Sequence, residues 1–254
     1  MKSRYDAWLN DVSLSSLNEE LYVSDISTHS PELTYTVHNY AGRNGGHVTA
    51  KRTGELTVTI SFELHLYGTQ ARQDACAEIV SWAKDGGKLQ ISDRHDQYLQ
   101  CVCTKLPSIE SALRWTDTLT VEFTAYDVPY FQSSVPVKAT GVGGEEVARV
   151  FVPGNAEATA EVTVTVLEPI TTLTVGVGGS MIELTGLDLS ENDEVIFYHD
   201  DYGILHISTN GTAILPHRTA LSADDLKAPC GTLELFCSAD GEVSADFQIR
   251  GGWY

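Results

Sequence analysis

Apolar and polar positions alternate with a period of two along most of this chain, the signature of strands with one buried and one wet face. Leu33, Tyr35 and Val37 alternate with Glu32, Thr34, Thr36 and His38, and Leu119, Val121, Phe123 and Ala125 with Thr118, Thr120, Glu122 and Thr124. The cleanest run sets Leu56, Val58, Ile60, Phe62, Leu64 and Leu66 against Thr57, Thr59, Ser61, Glu63 and His65. It predicts a strand over Glu55 to Tyr67, long enough that part of it is expected to extend beyond its own sheet. In residues 1–30 the periodicity is weak, with Leu9, Leu14, Leu17 and Leu21 scattered among Ser, Asn and Glu, which reads as short strands and turns.

One stretch changes period. Ala71, Ala75, Cys76, Ile79, Val80 and Ala83 recur at helical spacing. They predict a helix capped by Thr69 and stopped at Asp85-Gly86-Gly87, with a stripe of mostly small residues able to lie close against a sheet. From Lys88 to Phe131 the strand pattern returns: Lys88 to Ile91, a polar connection over Ser92 to Gln97, Tyr98 to Lys105, then the strand around Leu119 to Ala125. Asp127-Val128-Pro129 stops that ladder, because proline has no N–H to donate and restricts the residue before it. Tyr130 and Phe131 follow at once.

Residues 39–54, NYAGRNGGHVTAKRTG, interrupt the strands with four glycines and the cations Arg43, Lys51 and Arg52. An excursion of this length in a compact domain is either functional or loose. Folded back at Asn44-Gly45-Gly46, it is a β-arm reaching roughly 25 Å at ~3.3 Å per residue, enough to lie on a neighbouring subunit; the alternative is a surface loop. Residues 134–150 are rich in Ser, Pro, Gly and Val and read as an extended connector. Beyond them, short β-rich runs near residues 159–166, 171–177, 181–185, 194–198, 202–208, 232–238 and 243–250 have the turn-punctuated spacing of a sandwich. The expected layout is a domain over residues 1–133, the connector, and a second domain over residues 151–254.

Charge narrows the function classes. The 254 residues carry a formal −19. Residues 1–133 hold 11 Lys and Arg against 17 Asp and Glu, whereas residues 134–254 hold 5 against 18. Specific nucleic-acid binding is disfavoured, because it requires clustered cations to replace phosphate counterions. An acidic surface keeps a chain soluble and repels passing DNA. No apolar run near membrane-spanning length and no secretory leader is seen, so synthesis in the cytoplasm and no membrane partner are expected.

The five cysteines, Cys76, Cys101, Cys103, Cys230 and Cys237, lack disulfide or zinc spacing. Cys101 and Cys103, two apart on a strand, read as small core residues sharing a face. Asp93-Arg94-His95-Asp96 and His199-Asp200-Asp201 are the charged clusters that could suggest acid-base or metal work. Both fall in predicted turns without a third converging group and read as solvated turns. No nucleophile elbow, phosphate loop or zinc-protease motif is present. No enzyme, cofactor or metal site is therefore assigned. Trp82 and Trp115 read as core; Trp253 and Tyr254, a terminal aromatic pair, are expected to dock first on their own sandwich, then on a neighbour, then in a sugar groove.

The run from Lys88 to the Tyr130-Phe131 stop, the single helix among strands, and the segments Val152-Pro153-Gly154-Asn155, Ala228-Pro229-Cys230-Gly231 and VSADFQIRGGWY together resemble the distal tail (Dit) proteins of siphophages. The resemblance covers essentially the whole chain. It implies a mainly β fold of two sandwich-like domains. The first carries one α-helix and a protruding arm that includes Arg43, Asn44, Gly45, Gly46, Lys51 and Arg52; the second is like galectins or carbohydrate modules. It further implies a non-enzymatic virion protein of the tail tip, a hexameric ring joining the tail tube to tail-tip and receptor-binding proteins. The rival reading is a carbohydrate-binding module or host-recognition adhesin whose partner is a glycan.

Overall fold

The computed structural model describes residues 5–40, 44–107, 118–144 and 147–254, with Lys51 described in its backbone only. The chain divides into two compact units, Met1–Phe131 with Tyr254, and Gln132–Trp253. The fold is mainly β, with one α-helix among the described residues.

The first unit runs β1 (Ala7–Leu9), β2 (Val12–Ser13), β3 (Leu21–His29), β4 (Leu33–Asn39), β5 (Gly46–Thr53), β6 (Leu56–Leu64), α1 (Thr69–Ala83), β7 (Gly87–Ile91), β8 (Gln97–Lys105) and β9 (Thr118–Ala125). Hydrogen-bonded neighbours follow the order β2-β1-β7-β8-β9-β6-β3, and β4 with β5 forms a separate two-stranded sheet. The two halves join at β8, whose residues Leu99 and Cys101 pair with β7 while Val102 and Cys103 pair with β9. Cys101 is accordingly buried and Cys103 only partly so, although both were expected in the core.

β6 is the central strand. It pairs with β3 on one side, from Leu21↔Leu64 to His29↔Thr57, and with β9 on the other, from Leu56↔Ala125 to Glu63↔Thr118. Its alternate residues Leu56, Val58, Ile60, Phe62 and Leu64 are buried. The strand does not reach Tyr67 or extend past its sheet, as its alternation suggests. It ends at Leu64, where β3 also begins; the His65 N–H donates to the Glu20 carbonyl (2.9 Å) and Tyr67 is exposed.

The helix follows the expected span but not the expected cap. Gly68, at φ 92°, holds the N-cap position without a side-chain hydrogen bond, and Thr69 lies inside the first turn. Ala75, Cys76, Ile79 and Ala83 are buried. Gly86, at φ 65°, closes the C-terminal end. A Cβ there would sit 2.5 Å from the Cys101 carbonyl oxygen, so only glycine fits.

After β10 (Phe131–Ser133), which begins at the last residue of the first unit, the second unit runs through β11 (Val137–Val142), β12 (Ala148–Val166), β13 (Ile170–Val177), β14 (Ser180–Leu189), β15 (Glu194–His199), β16 (Leu205–Thr209), β17 (Thr212–Ala213), β18 (Lys227–Ala239), β19 (Val243–Arg250) and β20 (Gly252–Trp253). The main path is β14-β13-β18-β12-β15-β16-β17, and β19 pairs with both β11 and β12. β12 changes partners along its length. Ala148 to Val152 pair with β18, the register shifts between Val152 and Glu157, and Thr159 to Val166 pair with β19. Val162, Val164, Val175, Phe197, Leu235 and Phe247 fill the shared core.

The stretch read as a connector is therefore largely strand. Val137 to Val142 pair with β19, and β12 starts at Ala148. Glycines break the alternation here, and the pairing partner lies about a hundred residues downstream, so no local pattern reveals it.

Candidate functional site

The most unusual surface is the arm. Between the paired strands β3 and β6 the chain leaves the sheet after His29, runs out along β4 and returns along β5. The base is clamped by the Gly54 N–H donating to the Glu32 carbonyl at 2.7 Å. The ladder runs from Leu33↔Thr53 to Asn39↔Gly46, with a shift between Thr36 and Val37. The fold-back thus lies between Asn39 and Gly46, a span that includes the expected Asn44 and Gly45, and the outgoing strand is Leu33–Asn39, which the alternation marked as a strand before the excursion. Gly45, at φ 87°, supplies the left-handed residue of the return.

Register partners in an antiparallel ladder share a face. One face therefore carries Leu33, Tyr35, Val37 and Val48, which are 46%, 49%, 50% and 51% exposed, together with the positions of Thr53 and Lys51. The other carries Thr34, Thr36, His38, His47, Ala50 and Arg52. Leu33 to Thr53 contains no Asp or Glu and includes Arg43, Lys51 and Arg52, in a chain with 35 acidic residues and 16 Lys and Arg. The arm is thus amphipathic and basic on an acidic protein. A two-stranded ribbon alone is marginal in water, so an apolar face of this kind gains most by being covered.

Of the expected arm residues, Arg43 lies outside the described residues, as does Trp115. Asn44 and Gly45 form the bend, Gly46 opens β5, and Lys51 and Arg52 lie on β5, with Arg52 exposed. The terminal aromatics part company. Trp253 is a residue of β20, which pairs with β10. Tyr254 groups with the first unit, where its ring meets Tyr130 edge-on at 6.2 Å and its carbonyl accepts from Arg94 at 3.1 Å.

Part of each charged cluster is the exposed turn expected, with Asp93, His95, Asp96 and Asp201 all exposed, and part makes specific contacts. Arg94 stacks over Phe131 at 4.4 Å, and its burial lowers its pKa. His199 closes β15 with a side chain only 6% exposed; it is hydrogen-bonded to Asp225, which also pairs with Lys227 at 2.7 Å. Burial pushes the Asp225 carboxyl up, yet the bonds from His199 and Lys227 outweigh it and leave the pKa lowered. Asp200 accepts from His206 and from the Ile204 and Tyr202 N–H groups, which lowers its pKa and fixes the β15–β16 turn. This network links residues far apart in sequence, so adjacency alone could not reveal it. It braces a hairpin turn and sets no nucleophile beside a base.

No family model matches the sequence, and no curated protein matches it. Solved structures do. The Dit protein of phage SPP1, described as a paradigm of the hub adsorption apparatus in phages that infect Gram-positive bacteria, superposes with a TM-score of 0.68 at 12% identity, over 97% of this chain and 98% of that one. Two structures of the phage P2 baseplate in its activated conformation, one with Ca and one with Sr, match at 10% identity with TM-scores of 0.47 and 0.46, each over 97% of both chains. Over nearly its whole length, therefore, this chain has the fold of the SPP1 Dit protein.

Proposed function

We propose that this protein is a structural, non-enzymatic component of a phage tail tip, a distal tail protein that assembles through its first unit into a hexameric ring between the tail tube and the tail-tip proteins. The observation that carries the reading is the arm: an exposed, amphipathic, acid-free ribbon on an otherwise acidic chain whose fold is that of a phage hub protein. The arm's apolar face needs a cover and its cations need carboxylates, and a second copy of this chain offers both. An arm donated to the next copy is a head-to-tail contact, and such contacts close into rings when the rotation permits. The second unit, with 18 Asp and Glu against 5 Lys and Arg over residues 134–254, remains outside this contact as a soluble docking surface for tail-tip partners.

Light scattering after size-exclusion chromatography tests the assembly. The full chain is expected to form a closed oligomer. Replacing residues 33–53 by a short Gly-Ser turn should leave a folded monomer, because β3 and β6 pair without the arm. Reversal of Lys51 and Arg52 to Glu should weaken assembly most at low salt, since exposed pairs contribute only about 0–1 kcal/mol each and are screened over roughly 8 Å at physiological ionic strength. Oligomers of unchanged mass from the arm-deleted chain would overturn the arm's role. Glycan binding by a monomeric chain would instead favour the adhesin reading.

A further inference from the structure

We propose that His38 and His47 form a two-histidine site for a divalent transition metal on the polar face of the arm. The two are register partners across the β4–β5 ladder, so they project from one face. Their Cβ atoms are then ~5 Å apart, the separation of directly opposed residues in an antiparallel pair. Imidazole nitrogens reach a zinc ion at ~2.0–2.1 Å, and two rings leaning together from that spacing can share one ion. Both side chains are exposed, so an ion reaches them without any opening of the fold.

The chemistry around the pair selects the kind of ion. No Asp or Glu occurs between Leu33 and Thr53, so Ca²⁺ and Mg²⁺, which require oxygen ligands, find no carboxylate here. Imidazole suits Zn²⁺, Cu²⁺ and Ni²⁺. Next along this face stand Thr36 and Ala50, which are small and uncharged and leave room for bound water. Among the described residues no three His, Cys, Asp or Glu side chains converge, so the pair supplies two ligands and water the remainder.

A metal held this way staples the outer end of the arm. The ladder beyond His38 and His47 has one further register pair, Asn39↔Gly46, before the chain turns back. A ribbon end of this kind frays, and an ion that binds only the paired form shifts the equilibrium toward it by mass action. The site requires one copy of the chain and is independent of ring formation, so its failure would leave the proposed function standing.

The test is titration of the full chain with Zn²⁺ alone, in a chloride buffer at mildly alkaline pH, followed by calorimetry and by amide hydrogen exchange. Wild type, His38→Gln, His47→Gln and the double variant are compared, with His95→Gln as a control in an exposed turn of the first unit. Each single variant should lose Zn²⁺ binding as completely as the double variant, because the chelate requires both rings, while the control retains it. Zn²⁺ should slow exchange at Val37–Asn39 and Gly46–Val48 in wild type only. A single variant that binds as wild type does, or exchange in the arm that Zn²⁺ leaves unchanged, would overturn the site.

Discussion

Trp82 and Phe123 meet edge-to-face with ring centroids 5.8 Å apart, which fixes the helix against β9. The indole N–H donates to the Val12 carbonyl at 2.9 Å, so the same side chain also ties the helix to β2. Such a ring pair adds about 0.5–1.5 kcal/mol beyond the area it buries. Trp82→Phe keeps the ring pair and loses the hydrogen bond, with an expected cost of about 1 kcal/mol. Trp82→Ala loses both, and about 2–3 kcal/mol is expected in urea unfolding monitored at the first unit. Equal costs for the two variants would mean that the ring contact contributes little.

The limits of the second unit can be tested by where a fragment begins. A fragment of residues 132–254 keeps β11, paired with β19, and the whole of β12. One of residues 151–254 loses β11 and the first residues of β12, Ala148 to Val150, which pair with Leu235 to Leu233. The longer fragment should melt cooperatively, and the shorter one at lower temperature with exposed edges prone to association. Identical calorimetric traces would show that β11 adds nothing to this core.

Asp225 holds the buried His199 and Lys227 together. Asp225→Asn leaves the shape but removes the charge that both partners face, and a loss of about 1.5–3 kcal/mol is expected in denaturant unfolding. Because the folded-state pKa of Asp225 is lowered, its stabilisation is complete above the unfolded value and fades as pH falls through the folded one. Wild type and Asp225→Asn should therefore converge in stability at acid pH. Curves that stay parallel down to acid unfolding would exclude this linkage.

Asp240 is held at about 2, below the ordinary 3.8, by bonds from the Thr171 hydroxyl, the Thr172 N–H and the Thr171 N–H. It clamps the start of β13 to the β18–β19 turn. The sign is the same: the contribution is present above about 3.8 and lost as pH falls toward about 2. The carboxyl carbon of Asp240 should titrate in that window by NMR, and Thr171→Val should move its midpoint up toward the ordinary value. A midpoint near 3.8 in wild type would contradict the clamp.

Much of this architecture was legible along the chain because its physics is local. Alternation exposes a strand whose faces see different media, as in β6 and β9, and helical spacing betrays α1. The glycines and cations of residues 39–54 marked an excursion that was either an arm or a surface loop, and it was the resemblance to distal tail proteins that favoured the arm. Pairing was not legible. Val137 to Val142 looked like linker because its partner lies in β19, and Leu33 to Asn39 looked like a body strand because an arm's apolar face alternates as a buried one does.

The sequence by itself determined the strand-rich composition, the helix after Gly68, the acidic balance and the glycine-rich basic excursion of residues 39–54, all properties of short windows or of sums over residues. Only the tertiary structure decided which strands are neighbours. Register brings His38 opposite His47, and tertiary packing joins His199 to Asp225 and Lys227. The physical reason is that a β-ladder's partners are chosen by packing across the whole unit, where one residue of slip exchanges its faces, and no local stretch of chain carries that choice.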